Sequence, residues 1–381
     1  MNFEFERFIY KLVEKGVIPG ASLLIGKKGE IIFKRQYGFK SIFPRREILK
    51  ENTTTLYDLA SLTKPLVTAL LTVYLAEKEK VSLETGVKKM FPHLPFDMDL
   101  RQLLTHTSGL PARYPFYLFG EDYLTRFSAV QLDSRPGKRV NYSCVGYILL
   151  YYVIEKLAGT SFQAAARQIV FNPIGLKNTF LSVPEPLKNS AAPTEKGDET
   201  EKKNAEIWIR KCRDKEKRSR YEERLRHFKW RDAVIQGEAH DVNSHYLGGT
   251  AGNAGLFSTA EDVFKLCLEF FPSTASLLSG ESLPLFWKNF TPFKKSHRTL
   301  GFKLNSSFIT SGGRGISGKA IGHSGVTGTS IWLDPRGETV FILLSNQIHS
   351  GVRNFNFNRA RRKLHRLICQ EKGKLTRHLS F

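Results

Sequence analysis

Apolar residues at Phe5, Phe8, Ile9, Leu12 and Val13 recur three and four apart, which places them on one face of a helix near the start of the chain. The period then changes. Residues 21–25 and 31–33 are apolar runs of strand length with Lys28-Gly29 as the turn between them, and a second such pair, 330–333 and 339–344, brackets Asp334-Pro335-Arg336-Gly337. A helix over about 358–368 follows that pair. In the interior, Leu66, Val67, Leu70, Leu71 and Leu75 form an apolar stripe, and Pro65 stands in the first turn of that helix, where its missing N–H costs nothing. A second apolar helix runs through Ile148, Leu149, Tyr152 and Val153, after a turn at Arg135-Pro136-Gly137-Lys138. The pattern breaks over 195–230, where Lys, Arg and Glu alternate with few apolar residues. Lys211, Lys215, Glu216, Arg220, Glu223 and Arg224 permit i,i+4 pairs, so this segment reads as an exposed helical insertion.

Chemistry enters at the polar-to-apolar boundary, Ser61-Leu62-Thr63-Lys64. Three residues is just under one helical turn, so the Lys64 amine can reach the Ser61 oxygen at a helix N-terminus and help form a nucleophile for acyl transfer. Taken alone, the pair also fits a capping serine and a solvated lysine. Two downstream groups add to it. Tyr142 stands on the loop before the second apolar helix, where a phenol can carry protons. In Gly322-His323-Ser324-Gly325-Val326-Thr327-Gly328, the glycines at 325 and 328 let the backbone approach a ligand and offer N–H groups to an oxyanion.

Ser61-Leu62-Thr63-Lys64, Tyr142-Ser143-Cys144 and His323-Ser324-Gly325 resemble, in that order, the three motifs of the serine β-lactamase and penicillin-binding-protein family. The resemblance is greatest to the branch of class C β-lactamases, D-Ala-D-Ala carboxypeptidases and related esterases. Pro19-Gly20-Ala21, the stretch Leu103 through Leu110, Pro173-Ile174-Gly175-Leu176 and Gly252 through Ser258 extend it over about 19–349. It implies an α+β fold: an antiparallel sheet flanked by helices plus an all-helical lobe, one catalytic unit over 1–381 with sheet strands from both ends of the chain. It implies Ser61 as the acylated nucleophile, Lys64 and Tyr142 as the acid/base pair, and His323 polarising Tyr142 or meeting a substrate carboxylate. Cys144, Ser324, Gly325 and Val326 would contact substrate, and the N–H groups of Ser61 and Val326 would form the oxyanion hole. The activity implied is that of a serine hydrolase working through an acyl-enzyme on an ester or amide. D-alanyl-D-alanine carboxypeptidase or weak β-lactamase activity is the alternative, and a non-catalytic binding protein on the same fold is the second.

The chain departs from the family at Cys144, where asparagine is usual. A thiol is a weak hydrogen-bond partner, so an amide substrate loses a contact of roughly 1 kcal/mol, which favours esters. Cys144 as the nucleophile itself is a minor alternative. Asn253 is a second departure, standing where relatives often have histidine. A chain of 381 residues that is 41% hydrophobic can bury a large core. The net charge of +22, concentrated at Arg359, Arg361, Arg362, Lys363 and Arg366, suits an anionic polymer or lipid. Nucleic acid is the disfavoured partner, since no known nucleic-acid motif accompanies the charge. The histidine and cysteine spacings suggest no metal, and Gly313 to Lys319 lacks the Ser or Thr of a phosphate-binding loop, so no cofactor is expected. No run reaches about 18 apolar residues and no signal peptide is seen, so no transmembrane segment and a cytoplasmic location are expected unless the start site is mis-assigned.

Overall fold

In the computed structural model, which describes residues 3–120, 122–306, 310–352 and 355–376, the first apolar face becomes a helix, Glu4–Glu14. The two runs after it become β1 (Gly20–Lys27) and β2 (Glu30–Ser41). Short strands follow: β3 (Glu47–Ile48), β4 (Tyr57–Asp58), β5 (Phe257–Ser258) and β6 (Lys303–Leu304). The chain ends its sheet with β7 (Ile321–Ser324), β8 (Ser330–Asp334) and β9 (Thr339–Ser345). Seven of these form one antiparallel sheet in the order β3-β2-β1-β9-β8-β7-β6, and β4 pairs with β5 apart from it. The join between the two ends of the chain is β1 against β9, with Ala21 opposite Ser345 and Lys27 opposite Thr339.

Alternation along these strands decides which helices cover which face. Leu23, Ile25, Phe341 and Leu343 point to one side, where the first helix lays down Phe5, Ile9 and Leu12 and the last helix, Phe357–Thr376, lays down Leu364, Leu367 and Ile368. Leu24, Ile331, Val340, Ile342 and Leu344 point to the other, against Val263, Phe264 and Cys267 of the helix Ala260–Leu268 and the core of the helical lobe. Both faces are covered, so all of β9 is buried and reads as one apolar run. The last helix is longer than its periodicity suggests. Its Glu371 carboxylate accepts the N–H groups of Glu4 (2.8 Å) and Phe5 (3.3 Å), capping the positive end of the first helix. Its charges are also divided: Arg359, Lys363 and Arg366 are exposed, whereas Arg361 is buried.

The helix after Ser61 is buried on every side over residues 64–73, and Thr68 and Thr72 satisfy their hydroxyls on Gly252 O (2.6 Å) and Thr68 O (2.7 Å). Its first turns, Lys64–Ala69, are wide π-type turns before the regular helix Leu70–Lys78; Pro65 has no N–H to close a tighter turn. The charged segment is two antiparallel helices, Glu199–Arg210 and Lys215–His227. The first buries Ala205 and Ile209 and sets Trp208 on Tyr114 at 5.1 Å, while the second has no buried residue. Among the described residues the i,i+4 ion pairs of this segment are Arg210–Glu206 (3.6 Å) and Arg218–Glu222 (2.9 Å). Among the described residues no helix is long and apolar enough to cross a membrane.

Candidate active site

The turn that presents Ser61 is built from below. Asp58, at the end of β4, is buried, and its carboxylate accepts the N–H groups of Ala60 and His240, each at 2.8 Å. Ala60 is thereby held at φ +47°, a left-handed conformation that costs a residue with a Cβ roughly 1 kcal/mol. Thr63 completes the turn, donating to Ala60 O (2.7 Å) and accepting from Leu256 N (3.1 Å). Ser61 then faces a cavity of about 610 Å³, and Lys64 lies beneath it, fully buried.

An ammonium has three protons to donate, and Lys64 places all three. Nζ lies 3.2 Å from Ser61 Oγ, 3.4 Å from Cys144 Sγ and 2.8 Å from the carbonyl of Asn253. Burial works to lower the pKa of this ammonium, but Cys144 and Tyr142 beside it outweigh burial, and the net direction is up. Asn253 contributes its backbone, while its side-chain oxygen accepts from Ser244 Oγ (3.4 Å), so the departure from histidine there leaves the lysine contact intact.

Tyr142 is positioned by its neighbours in sequence. Ser143 caps the helix Cys144–Ala158, accepting from Gly146 N (3.0 Å) while its hydroxyl donates to Pro111 O (2.6 Å), and its own N–H donates to His106 Nδ1 (3.1 Å). That bond makes Nδ1 an acceptor and leaves the proton of the neutral ring on Nε2, which has no partner among the described residues. His106 sits at φ +59° with its ring centroid 4.5 Å from that of Tyr142. Three further groups surround the phenol: Lys64 Nζ at 5.0 Å from the ring centroid, Arg298 Cζ at 5.7 Å, and the His323 ring at 5.9 Å.

The opposite wall is β7 and the loop after it. Gly325 lies where a Cβ would be 2.6 Å from Leu59 O and closer still to Thr329 Oγ1, so only glycine lets this strand end run against the Ser61 turn. The Val326 N–H has no hydrogen-bond acceptor among the described residues. His323 donates from Nδ1 to Ser324 O (3.1 Å), which leaves Nε2 as an acceptor. Burial, and then the Arg298 and Lys64 charges, hold His323 well below the ordinary histidine value of 6.5, and His106 is shifted the same way. A neutral His323 can accept a proton or hydrogen bond, but it offers no charge to a carboxylate. Arg298 and Lys303, both cationic side chains, also line the cavity. Arg298 is buried with Nε unpartnered, and burial lowers its pKa; Lys303 is lowered to about 8 by burial and by Arg298.

Of the residues singled out from the sequence, Ser61, Tyr142, Cys144, His323, Ser324, Gly325 and Val326 line one cavity, and Lys64 supports it from below. Arg298, His106, Asp58 and the Asn253 carbonyl complete the site. Among the described residues no three His, Cys, Asp or Glu side chains gather as metal ligands.

A family model described as Beta-lactamase matches residues 5–365. The chain is similar to an N-acetylmuramyl-L-alanine amidase of Bacillus subtilis (strain 168), at 28% identity over 91% of this chain and 82% of that protein. It is also similar to a protein named "Putative D-alanyl-D-alanine carboxypeptidase" from Escherichia coli (strain K12), at 27% identity over 92% of this chain and 83% of that one. Among solved structures, "EstCE1, a hydrolase with promiscuous acyltransferase activity" superposes with a TM-score of 0.69 at 18% identity, covering 95% of this chain and 97% of that one. At that identity the likeness concerns the fold.

Proposed function

Because this chain belongs to the β-lactamase family of serine hydrolases, we propose that it cleaves an ester or amide through an acyl-enzyme on Ser61. The observation that carries the reading is the fully buried Lys64 with its amine on Ser61 Oγ at 3.2 Å, under an open cleft. As Ser61 Oγ bonds to the carbonyl carbon, its proton passes to the Lys64–Tyr142 pair, which enters the step one proton short of an ammonium with a neutral phenol, and from there to the departing oxygen or nitrogen as that bond breaks. In the second half, water attacks the ester on Ser61, the same pair takes the water's proton, and Ser61 leaves with a proton restored. The carbonyl oxygen, negative in both transition states, is placed to meet the N–H groups of Ser61 and Val326; one such donor is worth about 3 kcal/mol. Neutral His323 accepts from the Tyr142 side of this relay, and Ser324 and Gly325 border the bound acyl group.

Cys144 occupies the position from which a side-chain amide would hold an amide substrate, and its sulfur is engaged by Lys64. This supports esters as the better substrates. A second reading, a carboxypeptidase acting on peptides, is favoured by one observation: Arg298 is buried without a carboxylate partner among the described residues and suits a substrate that ends in one. Contact of Arg359, Lys363 and Arg366 with an anionic polymer or lipid is a weaker proposal, resting on their exposure alone.

Hydrolysis of p-nitrophenyl acetate and butyrate by wild type and Ser61→Ala, side by side, tests the reading. Turnover in wild type that disappears in a folded Ser61→Ala, with a mass increase of one acyl group trapped on the wild-type protein, is the expected result. Equal turnover by the two proteins would remove Ser61 from the mechanism.

A further inference from the structure

The candidate catalytic cleft shares one wall with a second cavity. Ala112, Arg113, Tyr114 and Asn204 border it on one side and border a second chamber, of about 1130 Å³, on the other. This chamber lies between the helical lobe and the charged helix pair 199–227. Its walls are aromatic: Trp208 lies 5.1 Å from Tyr114 and 5.2 Å from Tyr221, and Phe119 lies 5.2 Å from Tyr221, all centroid to centroid. Its charge is one-sided. Arg113, Arg126, Lys211, Lys217, Arg220 and Arg224 line it, against Asp133 as the one acidic lining residue. Some of these cations are engaged: Arg126 Nε donates to Tyr114 Oη (3.2 Å), Arg224 to Leu118 O (3.1 Å), and Lys217 pairs with Asp214 (3.6 Å). Lys211 and Arg220 have no ion-pair partner among the described residues, and none of the six pairs with Asp133.

We propose that this chamber is a distal substrate site, which holds an anionic group carried on an aromatic or aliphatic body while the scissile carbonyl lies on Ser61. Concave, aromatic walls supply area for an apolar body, and converging cations supply the field for its anion; either alone would describe a core or a solvated surface. The carboxylate-anchoring part of the cleft at Arg298 is separate: it lies beside Tyr142, whereas the chamber lies beyond Arg113 and Tyr114. The helix pair thus acquires a role in selecting substrates by their far ends. This rests on the reading of Ser61 as the acylated nucleophile.

The test uses p-nitrophenyl half-esters of dicarboxylic acids, from glutaric to dodecanedioic, beside neutral esters of equal chain length, with wild type, Arg220→Ala and the double variant Lys211→Glu/Arg220→Glu. In wild type at low salt the long half-esters should exceed their neutral counterparts in kcat/KM by roughly 10- to 100-fold, through KM, and the advantage should shrink with added KCl. The charge-reversed variant should lower the ratio of long half-ester to neutral ester at least tenfold, and Arg220→Ala should lower it less, at an unchanged unfolding midpoint. An unchanged ratio in the double variant, or an equal advantage for glutarate and dodecanedioate, would overturn the chamber's role; the latter result would assign the charge preference to Arg298. If wild type turns over no ester at all, the ester-hydrolase reading fails separately. The chamber is then read by fluorescence titration with 8-anilinonaphthalene-1-sulfonate: weaker binding to the double variant than to wild type upholds it, and equal binding overturns it.

Discussion

Two buried cations flank the Tyr142 ring, and they are not equivalent. Lys64 lies 5.0 Å from the ring centroid and places every proton on a protein acceptor. Arg298 lies 5.7 Å from the same centroid with Nε unpartnered and no carboxylate paired to it among the described residues. Burial opposes charge at both. Neighbours reverse its effect at Lys64, whose pKa is raised, and do not at Arg298, whose pKa is lowered. A charge whose donors are all met inside the protein has none to spare for a ligand and suits the internal role proposed for Lys64. One left short of partners fits an anion from outside, because an incompletely paired buried charge is costly until something completes it.

The largest expected effect probes the first cation. Lys64→Met should lower kcat by about 10³-fold or more on every substrate, neutral or charged, since it removes the one amine on Ser61 among the described residues. Retention of a tenth of the activity would break the assignment. Arg298→Gln should act selectively, lowering kcat/KM by about 10²-fold for carboxylate-bearing substrates while neutral esters stay within about threefold, with folding stability held or raised by about 1 kcal/mol. An equal loss on neutral esters would move Arg298 into the proton machinery. Steady-state kinetics on a matched substrate pair, with urea denaturation alongside, measures both.

Acid should expose the two histidines between these cations. His106 and His323 are depressed below 6.5 in the folded protein, so below about pH 6.5 the unfolded chain binds protons that the folded one does not. Unfolding free energy should therefore fall as pH falls from 6.5, by up to about 1.4 kcal/mol per pH unit for each group, and it should be flat on their account above it. Denaturation at pH 7.5, 6 and 5 checks this; the slope should shrink in His106→Gln, and a flat profile in wild type would mean that the imidazoles are not neutral in the fold. The smallest effect sharpens the specificity of the Lys64 side. Cys144→Asn should raise amide relative to ester turnover by about fivefold, roughly 1 kcal/mol, and the ratio of β-lactam to p-nitrophenyl ester hydrolysis reads it.

This asymmetry also marks what a linear reading can find. Ser61, Lys64, Tyr142 and His323 each stand in a local pattern, a helix start or a glycine-flanked strand end, so spacing alone brings them forward. Arg298 follows Lys294, Lys295 and His297 in a loop with nothing to set it apart from other surface cations. Only the fold brings it against Tyr142. His106 had a weak signal in the Thr-His-Thr-Ser-Gly run, but its role depends on a left-handed backbone and on Ser143, 37 residues away. In the sheet, the apolar runs were legible as strands, whereas the 4-residue strand β7 was not: Gly322, His323 and Ser324 give it too little apolar character. The charged segment read as exposed because its charges outnumber its apolar residues; the few it has, among them Ala205, Trp208 and Ile209, dock it.

The ladder between β1 and β9 sets a schedule for synthesis. Lys27 leaves the ribosome long before Thr339, its partner across the ladder. At typical translation rates of 5 to 20 residues per second, the interval is about 15 to 60 s, during which the hairpin of β1 and β2 has an unpaired apolar edge. The helical lobe, the Ser61 turn and β7 all emerge within that interval, before Thr339 closes the ladder. A nascent chain therefore holds its nucleophile and the strand of the facing wall before it holds β9, the strand that joins that wall to β1, and the cleft is fixed only when this last strand arrives.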